Sequence, residues 1–423
     1  MKSIKLKVFF VLLAAIVIIG ISMFFMKTKN IEKETIAVGI LHSQTGYMAI
    51  SESSIINAVL FAIQEINASG GLLVKLIEPV IVDGKSDPKV FAQEAEQLIK
   101  REKVSVIFGC WTSSSRKAVK EVVEKYDNLL MYPVQHEGLE SSPNIVYSGA
   151  APNQQIIPSI AWCLRHLGKK CYLVGSDYIY PRSANAVVRD YFTMLGGTIV
   201  GESYEVLGSS NFVSIVEDIK KTKPDFIINT INGQSNSAFF SLLNNAGITA
   251  KEIPVMSYSI SETELLNTMN LNDLVGHYAC SNYFSSIPTE TNKKFVAKFK
   301  TQYGSSRIVN DPMETAYFNV LLWAKAVIKA STTNPKKVIT EIKGLGIYAP
   351  EGPVFVDEET QNTWRICRIG KINKNEEFSI IWESRKPIKP EPYPTTRSKK
   401  AWQEFTQKLY ENWGNKWENE KSE

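Results

Sequence analysis

The chain has 423 residues, of which 44% are apolar and 22% are charged, and this composition is that of a folded protein rather than a disordered one. Its 48 basic and 43 acidic residues leave a formal charge of +5, and the basic residues are spread along the chain. We therefore expect no nucleic-acid partner, because nucleic-acid-binding proteins concentrate lysine and arginine in patches.

The N-terminus has the pattern of a membrane segment. Residues 2–7 carry three lysines, and the 19 residues from 8 to 26 carry no charge. That run is close to the ~20 residues a helix needs to cross a bilayer, and no small-residue cleavage site follows it. We predict that residues 1–34 form a cytoplasmic stub and an anchor in the cytoplasmic membrane. The rest of the chain is then exported to the periplasmic or extracellular face.

From about residue 35, short apolar runs alternate with amphipathic segments. "TIAVGILHS", "IEPVIVDG", "VSVIFGC" and "NLLMYPV" read as strands, and the segments between them read as helices. A second series of the same kind starts near residue 151 with "APNQQIIPSIAWCLRHLG" and the strand "KKCYLVGSD". A repeated strand–helix pattern predicts parallel sheets flanked by helices. We therefore expect an α/β protein of two lobes joined by several chain crossings.

The later segments are too few for a third lobe, so we expect them to complete the first two. The predicted first lobe is residues 35–150 plus about 283–345. The second is residues 151–282 plus about 346–385. Residues 386–423 are polar and include "PIKPEPYP", and they are predicted to form a peripheral tail with a short helix.

The five cysteines show no C-x-x-C spacing, and no metal-binding cluster of cysteine and histidine is visible, so we predict no metal and no cofactor. Cys163 and Cys171 are close enough in sequence to pair. Buried thiols are the preferred interpretation.

Motifs of common enzyme classes are missing from the sequence. It contains no G-x-G-x-x-G after a strand, no phosphate-binding loop, no G-x-S-x-G and no H-E-x-x-H. His42 and His136 follow predicted strands and are candidate partners for Ser113, and Cys110 is a candidate nucleophile. No orienting third group is evident, so we predict no catalytic residue and keep an amide hydrolase as an alternative from a different class.

The segments that follow the strands are rich in hydroxyl, amide and aromatic side chains. They read "HSQTGYMAISES", "CWTSSS", "YPVQHEG", "GSDYIYPR", "NTINGQSN" and "SYSISE". In open α/β sheets, ligands bind beyond the carboxyl ends of strands. Groups of this kind, with few charges, suit a small, neutral, planar solute. One serine of Ser113–Ser115 is expected to cap the following helix, and the others are then available to a ligand.

Long segments of the chain resemble the substrate-binding proteins of urea and short-chain amide uptake systems, which are type I periplasmic binding proteins. The resemblance covers roughly residues 36 to 385, through "FGCWTSSSRKAV", "MYPVQHEGLE", "YLVGSDYIYPRSAN", "INTINGQSN" and "DPMETAYFNVLLWAKAV". The tryptophan in "GCWTS" and the match at "YPVQxEGLE" favour the urea branch over the amide branch. The resemblance implies a two-lobed fold, urea or a short-chain amide as ligand, and the permease subunits of an ABC transporter as partners.

The resemblance also implies the pocket residues. The first candidates are Trp111, Ser113, Tyr132, Gln135, Tyr178 and Asn232. The secondary candidates are His42, Ser43, Met48, Ser51, Glu137 and Tyr258. The chain departs from the family at His136, where an aromatic residue is common, and in having no cysteine for lipidation. A ligand sensor of the same fold, signalling to a partner instead of delivering solute, is the alternative function.

Overall fold

The computed structural model describes residues 34–267 and 270–419. The predicted anchor at residues 8–26 lies outside the described residues and stays a prediction. In the described part, one helix, Ala49–Ala68, has the length and apolar composition of a membrane span, and half of it is buried inside the protein. It packs against the helix Asp311–Ala330, as a core helix does.

Regular elements alternate along the chain. The strands are β1 Thr35–His42, β2 Leu76–Asp83, β3 Ile107–Gly109, β4 Leu130–Tyr132, β5 Ile145–Tyr147, β6 Lys170–Ser176, β7 Thr198–Glu205, β8 Phe226–Thr230, β9 Val255–Ser257, β10 Tyr278–Ser281, β11 Gly346–Ala349, β12 Gly352–Val356, β13 Thr363–Trp364, β14 Arg368–Ile372 and β15 Phe378–Glu383. The helices are α1 Ala49–Ala68, α2 Pro88–Lys100, α3 Ser113–Lys125, α4 Ile156–His166, α5 Ile179–Met194, α6 Val213–Thr222, α7 Ser235–Asn245, α8 Glu262–Asn267, α9 Leu271–Leu274, α10 Glu290–Tyr303, α11 Asp311–Ala330, α12 Pro335–Ile342 and α13 Lys399–Asn412.

The strands form two large sheets, one in each lobe. The first has the order β2-β1-β3-β4-β5, with parallel pairing from β1 to β5. The second has the order β15-β14-β10-β9-β8-β6-β7 and is parallel except at β14 and β15. The prediction of two α/β lobes built on parallel sheets is confirmed.

The apolar runs of the sequence become the interiors of these sheets. Val38, Ile40, Leu173 and Ile228 are completely buried, as expected for parallel strands covered on both faces. Side-chain caps stabilise the starts of some of the flanking helices. Asp87 accepts a hydrogen bond from the Lys89 N–H at the start of α2.

The chain crosses between the lobes where the later elements begin. After β10 in the second sheet, it passes to α10, α11 and α12, whose apolar residues belong to the core of the first lobe. It returns to pair β14 with β10. The small antiparallel sheet β11-β12-β13 also packs on the first core, through Ala349, Val354 and Val356. The predicted domain limits stay a prediction, and this packing favours a return to the second lobe near residue 364 instead of 346.

The C-terminal segment is packed onto the body rather than lying at its periphery. Trp402 of α13 is fully buried, and its indole N–H donates to the Pro394 carbonyl at 2.8 Å. Trp413 and Trp417 pack against the core of the second lobe. The prediction of a peripheral tail relied on the polar composition of residues 386–423 and did not take the tryptophans of this segment into account.

Candidate functional site

The carboxyl ends of β3, β4, β6, β8 and β9 bring polar loops from both lobes to one boundary. Trp111 follows β3, Gln135 follows β4, and Asn232 follows β8. Hydrogen bonds connect the two sides. The Trp111 indole N–H donates to Asn232 Oδ1 at 3.5 Å, and Gln135 Nε2 donates to the Tyr258 carbonyl at 3.0 Å. The lobes therefore meet through candidate pocket residues.

A threonine caps the N-terminus of α3, directly after β3. Thr112 accepts a hydrogen bond from the Ser115 N–H at 3.1 Å, so the expectation that one of Ser113–Ser115 caps the helix is wrong. Residue 112 has the extended conformation that an N-cap requires, whereas α3 begins with Ser113. The Ser115 hydroxyl donates back to the Thr112 carbonyl at 2.8 Å.

The other two serines also have protein partners. Ser113 Oγ donates to Glu137 Oε2 at 2.5 Å and accepts from Arg116 at 3.0 Å. Ser114 Oγ donates to Glu418 Oε2 at 2.8 Å. The Ser113 hydroxyl is therefore bonded to Glu137 and Arg116, and its contact with a ligand stays a prediction.

A buried ion-pair network forms that wall. Arg116, which is fully buried, donates to Glu140 at 2.8 Å and to Glu137 at 2.9 Å. Lys117 Nζ lies 2.6 Å from Glu140. Burial opposes ionisation of Glu140, but Arg116 and Lys117 hold its pKa well below the usual range. The network pairs two cations with two carboxylates.

Aromatic side chains add flat surfaces to the site. The Tyr132 ring lies 4.8 Å beneath the Arg116 guanidinium, and its hydroxyl donates to the Trp111 carbonyl at 2.6 Å. Tyr178 is buried, and its ring centroid lies 6.2 Å from that of Tyr180. Burial raises the pKa of Tyr132 and Tyr178, so both phenols are neutral at physiological pH.

Sequence reasoning missed Tyr180 and Arg116. The Tyr180 hydroxyl is buried at the lobe boundary, beside the side chains of Gln135 and Ser259. The available signal was spacing. Arg116 is one helical turn from Ser113, so the two side chains share a side of α3. Tyr180 is the second residue of α5, and its spacing of two from Tyr178 gives no such signal.

The secondary candidates from the first lobe are held by other groups. His42 Nδ1 lies 3.2 Å from Glu52, and the Ser43 N–H donates to the same carboxylate at 2.8 Å. Ser51 Oγ donates across the lobes to Glu264 Oε1 at 2.8 Å. Met48 is buried against Gly233, where an added Cβ would approach its sulfur to 3.0 Å.

The Tyr258 and His136 side chains point away from the lobe boundary. Tyr258 shares a 2.8 Å hydrogen bond with Ser159 in the core of the second lobe, and only its carbonyl reaches Gln135. His136 lies against Tyr147 and shares a hydrogen bond with Asn362 Oδ1 at 3.0 Å. Burial lowers the pKa of His136 to about 4, so it is neutral at physiological pH.

The groups needed for a hydrolase are not brought together in the described residues. His42 bonds to Glu52, and His136 bonds to Asn362, whereas Ser113 bonds to Glu137 and Arg116. Burial raises the pKa of the Cys110 thiol well above its ordinary value, which disfavours the nucleophilic thiolate.

The chain is similar to a known protein family and to several solved structures. The family described as periplasmic binding protein domain matches residues 36–399. A solute-binding protein of an ABC transporter from Rhodopseudomonas palustris BisB5, in complex with 3,4-dihydroxy benzoic acid, is 24% identical with a TM-score of 0.76, covering 84% of this chain and 98% of that one. A leucine-binding protein from Thermotoga maritima is 17% identical with a TM-score of 0.73, covering 82% and 98%.

Curated relatives are distant or partial. Leu/Ile/Val-binding protein homolog 6 of Brucella abortus is 21% identical over 295 residues, covering 69% of this chain and 75% of that protein. A protein named limonene hydroxylase from Geobacillus stearothermophilus is 30% identical over 120 residues. This match spans 28% of the chain and 22% of that relative.

Proposed function

The chain belongs to the periplasmic binding protein domain family, and from that premise we propose that it is an exported solute-binding protein for urea or a short-chain amide. It captures this solute between its two lobes and delivers it to an ABC permease, and it performs no catalysis. The N-terminal segment at residues 8–26 anchors it in the cytoplasmic membrane.

The observation that carries the proposal is the charge balance of the wall behind the site. Each carboxylate of Glu137 and Glu140 is paired with Arg116 or Lys117. The Arg116 nitrogens that reach the site are committed, because Nη1 donates to Ser113 and Nη2 to Glu137. A carboxylate ligand such as a benzoate needs a free cation or several free hydrogen-bond donors, and an amino acid needs a carboxylate for its ammonium group as well. A neutral solute needs neither.

The remaining groups match a planar molecule with several N–H donors and one carbonyl. Trp111, Tyr132 and Tyr178 supply flat surfaces, and Gln135 and Asn232 supply amide groups. The buried hydroxyl of Tyr180 supplies a further donor or acceptor. Urea has four N–H donors, and acetamide replaces two of them with a methyl group. A site that bonds both NH2 groups discriminates against acetamide, because one acceptor is then left unpaired.

The proximity of the lobes supports a small ligand. Trp111 approaches Asn232 to 3.5 Å, and Gln135 approaches the Tyr258 backbone to 3.0 Å. Such short separations favour a solute of a few heavy atoms over an aromatic acid. They also exclude water, and each hydrogen bond to the ligand becomes stronger as a result.

Calorimetric titration of the full chain tests the proposal. Urea, acetamide, formamide, leucine and 4-hydroxybenzoate are titrated in turn. We expect saturable heat with urea and weaker heat, or none, with the amides. Heat with leucine or 4-hydroxybenzoate alone would contradict a neutral-solute site. Release of ammonia from urea by the pure protein would contradict the non-enzymatic role.

A further inference from the structure

Two buried cysteines of the second lobe lie side by side. Cys280 is in β10, Cys367 comes directly before β14, and these strands are antiparallel neighbours. The two sulfurs are 3.5 Å apart, and both side chains are buried in one apolar core. A disulfide has a sulfur–sulfur distance of about 2.05 Å, so the atoms need to approach by only ~1.5 Å.

The position of this pair in the chain gives it a structural consequence. The residues are 87 positions apart, and the chain between them contains α10, α11, α12 and β11 to β13. This is the excursion that leaves the second lobe, packs on the first core and returns. The chain leaves the second lobe after β10 and returns to it at β14. A disulfide between Cys280 and Cys367 would connect the chain at these two points.

We propose that Cys280 and Cys367 are a modification site, forming a disulfide in the exported protein that closes the inter-lobe excursion into a loop. The inference rests on the export part of the proposed function and is independent of the ligand. Exported proteins meet conditions in which disulfides form and persist. A crosslink across a loop of this length removes much conformational freedom from the unfolded chain.

The oxidation is a thiol–disulfide exchange. The thiolate of one cysteine attacks the disulfide of an oxidant, either a dithiol–disulfide oxidoreductase or oxidised glutathione. The thiolate of the other cysteine then displaces the oxidant from the mixed disulfide. Two thiols lose two protons and two electrons, and the oxidant leaves with both of its sulfurs reduced. Because both sulfurs are buried in the folded protein, the exchange occurs before this core closes.

Cys163 and Cys171 provide the competing pairing and the controls. Both are buried in the same apolar core as Cys280 and Cys367. The sequence alone makes Cys163 and Cys171 the natural pair, because only eight positions separate them. The structure gives sulfur-to-sulfur contact to Cys280 and Cys367 instead.

Peptide mapping tests the proposal on the full chain taken from the exported fraction. The protein is denatured in excess iodoacetamide without reductant, digested and examined by mass spectrometry. We expect a linked pair of peptides carrying Cys280 and Cys367, with Cys163 and Cys171 alkylated. Full alkylation of Cys280 and Cys367, or a Cys163–Cys171 link, overturns the proposal. Urea binding is measured separately by calorimetry, so failure of the disulfide leaves that test unaffected.

A stability measurement gives a second readout. Reductant is expected to lower the thermal midpoint of the wild-type chain by about 5–10 °C. The C163A control should show the same response to reductant, whereas C280A and C367A should show none. Equal thermal midpoints for the wild-type chain with and without reductant would overturn the proposed disulfide.

Discussion

At the residue scale, Trp111 is the side chain that connects the proposed pocket to both lobes. It is buried, its carbonyl accepts from Tyr132 and its indole N–H points to Asn232. Its position after β3 followed from strand-end reasoning, but its link to Asn232, 121 residues away, did not.

Substitution of Trp111 with alanine tests its role as a wall of the site. We expect Trp111→Ala to weaken urea binding at least about tenfold, because a flat surface and a cross-lobe hydrogen bond are lost together. Calorimetry measures the effect. Trp364→Ala, which removes an indole that donates to Asp357, is the matched control and should bind urea normally. Full-strength binding by Trp111→Ala would remove this residue from the pocket.

Glu262 lowers the free energy of unfolding by an amount that depends on pH. It is buried, one oxygen accepts from the Ser285 N–H at 2.7 Å, and the other has no hydrogen-bond partner within the described residues. Burial raises its pKa from 4.5 to about 7. Between these values the folded chain holds a proton that the unfolded chain has released. The free energy of unfolding therefore falls as pH rises through this window, and the full cost is present above pH 7.

The Glu262→Gln variant should remove this destabilisation, because glutamine does not ionise, and its side-chain oxygen can still accept from the Ser285 N–H. We expect it to be more stable than the wild-type chain by about 1–3 kcal/mol at pH 8 and nearly equal at pH 4.5. Guanidinium chloride unfolding is the suitable measurement, because urea is the proposed ligand. Glu217→Gln, at an exposed position of α6, is the control. A stability difference that does not change with pH would contradict the assignment.

At the element scale, the start of α3 shows how local geometry assigns roles to similar residues. Thr112, Ser113, Ser114 and Ser115 follow one another, yet each hydroxyl has a different main partner. Only the residue just before the helix has the extended backbone of a cap, and that residue is Thr112.

Removal of the Thr112 hydroxyl should destabilise the helix start. We expect Thr112→Ala to lower the free energy of unfolding by about 1–2 kcal/mol, because the Ser115 N–H loses its acceptor. Thr112→Ser retains the hydroxyl and should stay within about 0.5 kcal/mol of the wild-type value. Guanidinium chloride unfolding distinguishes the two variants. Equal losses in both would indicate that the methyl group, rather than the cap, matters.

At the scale of the whole molecule, closure of the lobes depends on bonds between distant elements. Ser51 in α1 donates to Glu264 in α8 at 2.8 Å, and the two residues are 213 positions apart. Burial raises the pKa of Glu264, so loss of a donor to this carboxylate is costly.

Ser51→Ala should therefore favour separation of the lobes. We expect urea affinity to fall about 3- to 10-fold, because a hydrogen bond that joins the two lobes is lost. Ser53→Ala is the control, since that exposed hydroxyl bonds within its own helix. Calorimetry gives the affinities, and small-angle scattering with and without urea reports closure. An unchanged affinity in Ser51→Ala would show that this bond does not contribute to binding.

Features that arise from local interactions can be predicted from the amino-acid sequence. Apolar runs at strand spacing and amphipathic helices between them specify two parallel-sheet lobes, and the polar segments after the strands indicate where a ligand would bind. Each of these patterns spans about 20 residues or fewer, so it can be recognised from one amino-acid sequence.

Which polar groups remain available to a ligand depends instead on long-range packing. Ser114 bonds to Glu418 across 304 positions, Ser113 is held by Glu137, and the Tyr258 hydroxyl turns to Ser159. The contact of Cys280 with Cys367 arises in the same way, from strands that pair after a long excursion. Partners so far apart leave no periodic or spacing signal, because a buried polar group is satisfied by whichever neighbour the fold brings to it.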